Sequence, residues 1–167
     1  PVTTQTPVTT QTPVTTLPLP DERDVNSPDY FKDALFVGDS RMYQLFLYAP
    51  IEGASCYATS LMRIDDIWNT RKVQSLNNRE TDLETYLKTN SFRKIYVMEG
   101  INELSGRVSN LAISYERVAA KIRQLQPSAI VVLVSIFHPS RWRDKQPDAI
   151  SNWKINEMNA ALAALAD

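Results

Sequence analysis

A serine can attack a carbonyl carbon where its hydroxyl is exposed and backbone N–H groups stand ready for the oxyanion. The stretch Ala34-Leu35-Phe36-Val37-Gly38-Asp39-Ser40-Arg41 holds the residues for that arrangement. An apolar run ends in Gly-Asp-Ser, and an amphipathic segment follows at once. The pattern predicts a buried strand over 35–38, a tight turn, and a short helix over 40–48 with Ser40 at its mouth. The first turn of a helix leaves N–H groups unpaired, and these can hold developing negative charge. The chemistry to expect is acyl transfer through Ser40.

A second polar turn closes a second apolar run. Lys94-Ile95-Tyr96-Val97-Met98 reads as a strand stopped by Glu99-Gly100, and Gly100-Ile101-Asn102-Glu103 sets an amide side chain just beyond it. Of the four glycines, Gly38 and Gly100 both follow strands directly. Glycine permits a sharp turn, and a polar side chain comes next each time.

The elements that must position these turns are legible as periodicity. Ser55–Ala58 reads as a strand, and Thr81–Lys88 is helical on the spacing of Leu83 and Leu87. Ser109 or Asn110 is expected to cap a long helix carrying Leu111, Tyr115, Val118, Ile122 and Leu125, which Pro127 ends. Ile130–Ile136 reads as a buried β-branched strand, and a last helix bears Ile155, Met158, Leu162 and Leu165 on one face. Strands alternating with helices, one of them apolar throughout, argue for an α/β fold: a three-layer α/β/α sandwich on a central parallel sheet. Ligands of such sheets lie beyond the carboxyl ends of the strands. The loops at 38–41, 58–62, 99–104 and 137–141 therefore surround the expected site.

Residues 1–20 are set apart by composition. Pro1–Thr6 recurs as Pro7–Thr12, and Pro13–Pro18 is a decayed third copy. Recurrent proline forbids a helix, and nothing in the segment can form a core. It reads as a Thr/Pro linker of roughly 60 Å at about 3.1 Å per residue, of a kind typical of tethers outside the cell. Residues 21–167 are then one domain, consistent with the chain's 167 residues.

A net charge of −1 and the lack of a basic, aromatic-rich stripe give no reason to expect nucleic acid. The longest apolar run, Ala129–Phe137, is too short to span a bilayer. The single cysteine, Cys56, excludes an internal disulfide and reads as a small buried hydrophobe. One Cys and one His leave no zinc ligand set, and no phosphate loop is present, so neither metal nor cofactor is expected. Asp39 reads as a turn-former, and the adjacent Asp65 and Asp66 as solvated or capping charges, not a catalytic pair. Arg41 and Trp142 have the chemistry to meet a sugar or an anionic substrate, although a helix-surface arginine and a cleft-edge tryptophan are the plainer readings.

Phe36-Val-Gly-Asp-Ser-Arg41 and Val97-Met-Glu-Gly-Ile-Asn-Glu103 together resemble the first and third ordered blocks of the SGNH (GDSL-type) hydrolase family. Cys56-Tyr-Ala-Thr-Ser-Leu61 falls where the second block lies, with Ser60 in place of its glycine. The resemblance runs from about Ala34 to the end of the chain and is similar to small secreted acylhydrolase-like domains of Gram-positive bacteria. It implies a flavodoxin-like sandwich, Ser40 as nucleophile, and the Ser40 and Ser60 N–H groups and the Asn102 amide as oxyanion donors. It also implies an Asp-x-x-His block for the base, which residues 1–167 do not contain; the family pattern places it after a further strand. His138, the chain's one histidine, sits just past a strand on the site's edge and reads as a loop residue beside the substrate. The implied activity is that of an extracellular or envelope-tethered serine esterase on short acyl esters of a glycan or wall polymer. An acyltransferase, or a non-catalytic glycan-binding module on the same scaffold, are the alternatives.

Overall fold

The structure, a computed structural model, describes residues 26–27, 29–76, 79–146 and 150–166. The linker assigned to residues 1–20 lies outside them. In chain order the elements are β1 (Ala34–Gly38), α1 (Ser40–Tyr48), β2 (Ser55–Ala58), β3 (Lys72–Val73), β4 (Arg79–Glu80), α2 (Leu83–Thr89), β5 (Lys94–Met98), α3 (Val108–Leu125), β6 (Ile130–Leu133) and α4 (Asn152–Ala163). Short 3-10 turns cover Ile64–Asp66, Gln74–Leu76, Ile101–Glu103 and Arg143–Lys145.

Four strands form a parallel sheet in the order β2-β1-β5-β6. β3 and β4 make a small antiparallel ladder of their own, which the sequence pattern did not suggest.

The two-residue period of the strands sorts their side chains onto two faces. Leu35, Val37, Tyr57, Ile95 and Val97 pack with Leu83 and Leu87 of α2, the apolar stripe of α3, and Ile155, Met158 and Leu162 of α4. Ala34, Phe36, Cys56, Ala58 and Met98 face the other way, onto Met42, Tyr43 and Phe46 of α1. Phe36 and Tyr96 stack across β1 and β5, with ring centroids 4.5 Å apart, the kind of cross-strand pair that steadies a sheet. Helices thus cover both faces, and the expected three-layer α/β arrangement is the one observed.

Two expectations need correction. The strand over 130–136 stops at Leu133, and its residues are half-buried, not buried. Among the described residues β6 pairs only with β5, so it is an edge, and an edge strand keeps one flank open to solvent. α3 begins at Val108, with Arg107 at the cap position and no side-chain cap bond, so neither Ser109 nor Asn110 caps it. The α2 helix is capped by a side chain: Thr85 N–H donates to Asp82 Oδ1 at 2.8 Å.

Strand order locates the crevice. The chain steps from β1 outward to β2, then returns past β1 to β5 and on to β6. Strand order therefore reverses between β1 and β5, and the loops leaving their carboxyl ends part to opposite faces. Gly38 is level with both Ala58 and Met98. Asp39-Ser40, Thr59-Ser60 and Glu99-Gly100 consequently emerge at one height on one edge.

Candidate active site

Gly38 is needed for closeness. A Cβ there would stand 2.7 Å from Met98 O and 2.8 Å from Met42 Cβ, so only glycine lets the start of α1 lie against β5. Gly100 is needed for its backbone angle: φ is +122°, and a Cβ would meet Ile136 Cδ1 at 2.5 Å. Both glycines were legible as turn residues, but for different physical reasons.

Asp39 is fully buried and caps α1, accepting from Arg41 N–H at 2.8 Å. Its carboxylate also takes Arg41 Nε at 3.3 Å and Nη2 at 3.0 Å, a two-pronged ion pair. Arg41 Nη1 donates to Phe137 O at 3.2 Å. The guanidinium therefore fastens the β1–α1 turn to the loop beyond β6. Ser40, the first residue of α1, is held between these fixed neighbours and is partly exposed.

The other two expected donors arrive from neighbouring loops. Asn102 lies in the 3-10 turn after β5, and its Nδ2 donates to Met62 O at 2.6 Å, tying this turn to the loop after β2. An amide nitrogen has two hydrogens, so this bond uses one of them. Ser60 is exposed, and its N–H donates to Gln74 Oε1 at 2.7 Å. The next residue, Leu61, has φ +62° and is 80% exposed. A leucine in the left-handed region stores roughly 1–2 kcal/mol of strain, at the position where the second block loop turns.

Beneath the rim lies a carboxyl cluster that sequence reasoning missed. Glu99 is fully buried, and neither of its side-chain oxygens has a hydrogen-bond partner. Burial, then the nearby Asp39 and Glu103 carboxylates, push its carboxyl well above the usual range, with Arg41 pulling the other way. Glu103 Oε1 accepts from Ile64 N–H at 2.7 Å; burial raises this carboxyl too, opposed by that bond and by Arg63. Tyr115 of α3 clamps the backbone above: its Oη accepts from Glu99 N–H at 2.6 Å and donates to Glu99 O at 2.9 Å. The signal was present in the sequence, as a carboxyl residue between an apolar strand and an invaginating glycine.

His138 is exposed, with Nε2 2.7 Å from Asn156 Oδ1. Trp142, 72% exposed, stands further along the same loop. Arg41 joins that loop to the Ser40 turn through Phe137, whereas Trp142 and His138 have no such tie to it. Among the described residues no group of three His, Cys, Asp or Glu side chains could hold a metal ion. No helix among them is long and apolar enough to cross a membrane.

No protein-family model and no curated protein sequence matches the chain. Solved structures do. A family two carbohydrate esterase from Clostridium thermocellum, in complex with cellohexaose, matches with a TM-score of 0.53 over 80% of this chain and 48% of its own, at 11% identity. A family two carbohydrate esterase with a carbohydrate binding domain, from Corynascus thermopiles (Myceliophthora fergusii), gives 0.53 over 81% and 54%, at 16% identity. The fold is like that of the family two carbohydrate esterases. A Streptococcus pneumonia protein described as a platelet activating factor matches at 0.57 over 81% and 61%, at 18% identity. The chain spans between about half and three-fifths of the length of these proteins. At such identities the likeness is one of fold.

Proposed function

We propose that this chain carries the nucleophile and oxyanion donors of a serine esterase that removes short acyl groups, O-acetyl above all, from a glycan or cell-wall polymer outside the cell. The observation that carries the reading is the position of Ser40. It begins a helix at the point where strand order reverses, partly exposed, with the Asn102 turn leaving the adjacent strand at the same height. Ser40 Oγ would attack the ester carbonyl to form an acyl-enzyme, which water then releases as the free acid. The N–H groups of Ser40 and Ser60 and the Asn102 amide would take the oxyanion, and losing one such donor typically costs ~3 kcal/mol of barrier. The Ser40 proton must pass to a base, which the SGNH resemblance assigns to an Asp-x-x-His histidine. Arg41, His138 and Trp142 would meet the substrate in this reading, and the exposed flat face of Trp142 is of the kind that sugar rings stack on. The likeness in fold to carbohydrate esterases, one of them holding cellohexaose, supports a polysaccharide substrate.

The test is turnover of p-nitrophenyl acetate and of an acetylated polysaccharide by the full-length protein. Ser40→Ala is expected to bring both to background; retention of most of the turnover would refute Ser40 as nucleophile. Free acetate in the medium, as against acetate moved to a glycan acceptor, separates hydrolysis from acyl transfer.

A second reading, a non-catalytic glycan-binding module, is favoured by one pair of contacts. The Ser60 N–H and one Asn102 amide hydrogen already hold protein acceptors. Glycan binding unchanged by Ser40→Ala, with no turnover by the unaltered protein, would support it.

A further inference from the structure

Gln74 has no part in the reading so far, yet its side chain sits on one of the groups that reading needs. Its Oε1 accepts from Ser60 N–H at 2.7 Å. A single N–H cannot serve a glutamine carbonyl and a substrate oxygen at full strength together. The backbone beneath Gln74 is fixed. The adjacent Ser75 is stitched to the outer edge of β2, its Oγ donating to Cys56 O and accepting from Ala58 N–H, both at 2.8 Å. The Gln74 side chain, by contrast, turns about three single bonds, and the residue borders a groove of about 320 Å³ lined also by Tyr43, Phe46, Leu76 and Tyr86. A displaced amide has room there.

The geometry points to Gln74 as a latch on the oxyanion site: its amide oxygen occupies the Ser60 N–H at rest and swings toward the groove when a substrate oxygen takes its place. This rests on the esterase reading above. The latch discriminates by charge. A neutral ester carbonyl competes with Gln74 on nearly equal terms. A developing oxyanion, whose hydrogen bonds are about twice as strong, displaces it. Substrates that bind without reacting are thereby held off.

The test uses the full-length protein and its variants Gln74→Met and Gln74→Glu, with p-nitrophenyl acetate turnover and fluorophosphonate labelling of Ser40 as readouts. Methionine keeps the length and removes the acceptor. Because one neutral hydrogen bond no longer has to be broken as the oxyanion forms, kcat/KM should rise roughly five-fold, carried mainly by a higher kcat with KM little changed. Gln74→Glu places a charged acceptor on the same N–H and should lower kcat/KM by more than ten-fold at neutral pH, with recovery as the carboxylate is protonated in acid. Ser40 labelling rates should move in the same two directions. If Ser40 is labelled but Gln74→Met is labelled no faster, or loses kcat, the latch is refuted and Gln74 merely props the loop. If Ser40 in the unaltered protein takes no label, the esterase reading itself falls, which is a different result. Thermal melts of both variants within a few degrees of the unaltered protein tie the changes to the site.

Discussion

Replacing Glu99 by glutamine should make the protein more stable at neutral pH and leave it nearly unchanged in mild acid. Glu99 lies fully buried with both carboxyl oxygens unpartnered, and burial together with Asp39 and Glu103 raises its carboxyl well above the ordinary 4.5. Below that value the group is protonated in folded and unfolded chains alike, and it contributes no pH dependence. Above it the unfolded chain releases the proton while the folded chain keeps it, so the unfolded state binds fewer protons and stability falls as pH rises. The slope is about 1.4 kcal/mol per pH unit until the folded group ionises as well. Glutamine retains the size and the buried polar atoms but does not titrate. Urea unfolding of both proteins at pH 5 and pH 7 should therefore show the glutamine variant gaining stability between the two, by up to about 1.4 kcal/mol for each pH unit over which the folded Glu99 keeps its proton. Glu103 is present in both proteins and largely cancels. A stability difference that stays constant from pH 5 to pH 7 would mean that Glu99 is solvated as in water, and the account of the cluster would fail.

Three other perturbations follow from particular contacts. Gly100→Ala meets both a φ of +122° and a 2.5 Å approach to Ile136 Cδ1, and should cost about 2–4 kcal/mol in urea unfolding. Trimming the clash with Ile136→Val should recover only part of it, because the backbone strain remains. Tyr115→Phe removes both bonds to the Glu99 backbone at a fully buried site and should cost about 2 kcal/mol; a loss below about 0.5 kcal/mol would show that the clamp holds nothing. Burial pushes the Cys56 thiol up to about 11, outweighing its contact with Ser75. A thiol-disulfide reagent at neutral pH should leave the folded protein unreacted over minutes and titrate one thiol promptly in denaturant.

How much was legible depended on whether local sequence carried the physics. β1, α1, β2 and β5 were readable because an apolar run cut by Gly-Asp-Ser or Glu-Gly, and a three-to-four spacing, are local signals. β6 was read as buried and is half-buried among the described residues, because an apolar run looks the same whether one flank of the strand or both are paired. The β3–β4 ladder is two residues on each strand, too short for any period. In the site, Ser40, Asn102 and the turn-forming role of Asp39 were visible as residue types after strands. The partners of those residues were not. Gln74 reaches Ser60 across 14 positions, and Asn102 reaches Met62 across 40. Each is a side chain meeting a backbone group that nothing nearby in sequence announces. Glu99 could have been noticed, since a carboxylic acid at the end of an apolar strand has nowhere wet to go.

The bond from Arg41 to Phe137 O spans 96 positions of chain. On a ribosome making 5–20 residues per second, the Ser40 turn is synthesised roughly 5–20 s before the carbonyl that anchors it. Until then Arg41 has only Asp39, and the loop beyond β6 does not yet exist. Contacts of such long range form late because the intervening chain must first lose its freedom. The serine's surroundings are therefore among the last features to be completed. In refolding, the ester turnover proposed for Ser40 should return after the helical signal does, which would make it a reporter of the finished fold.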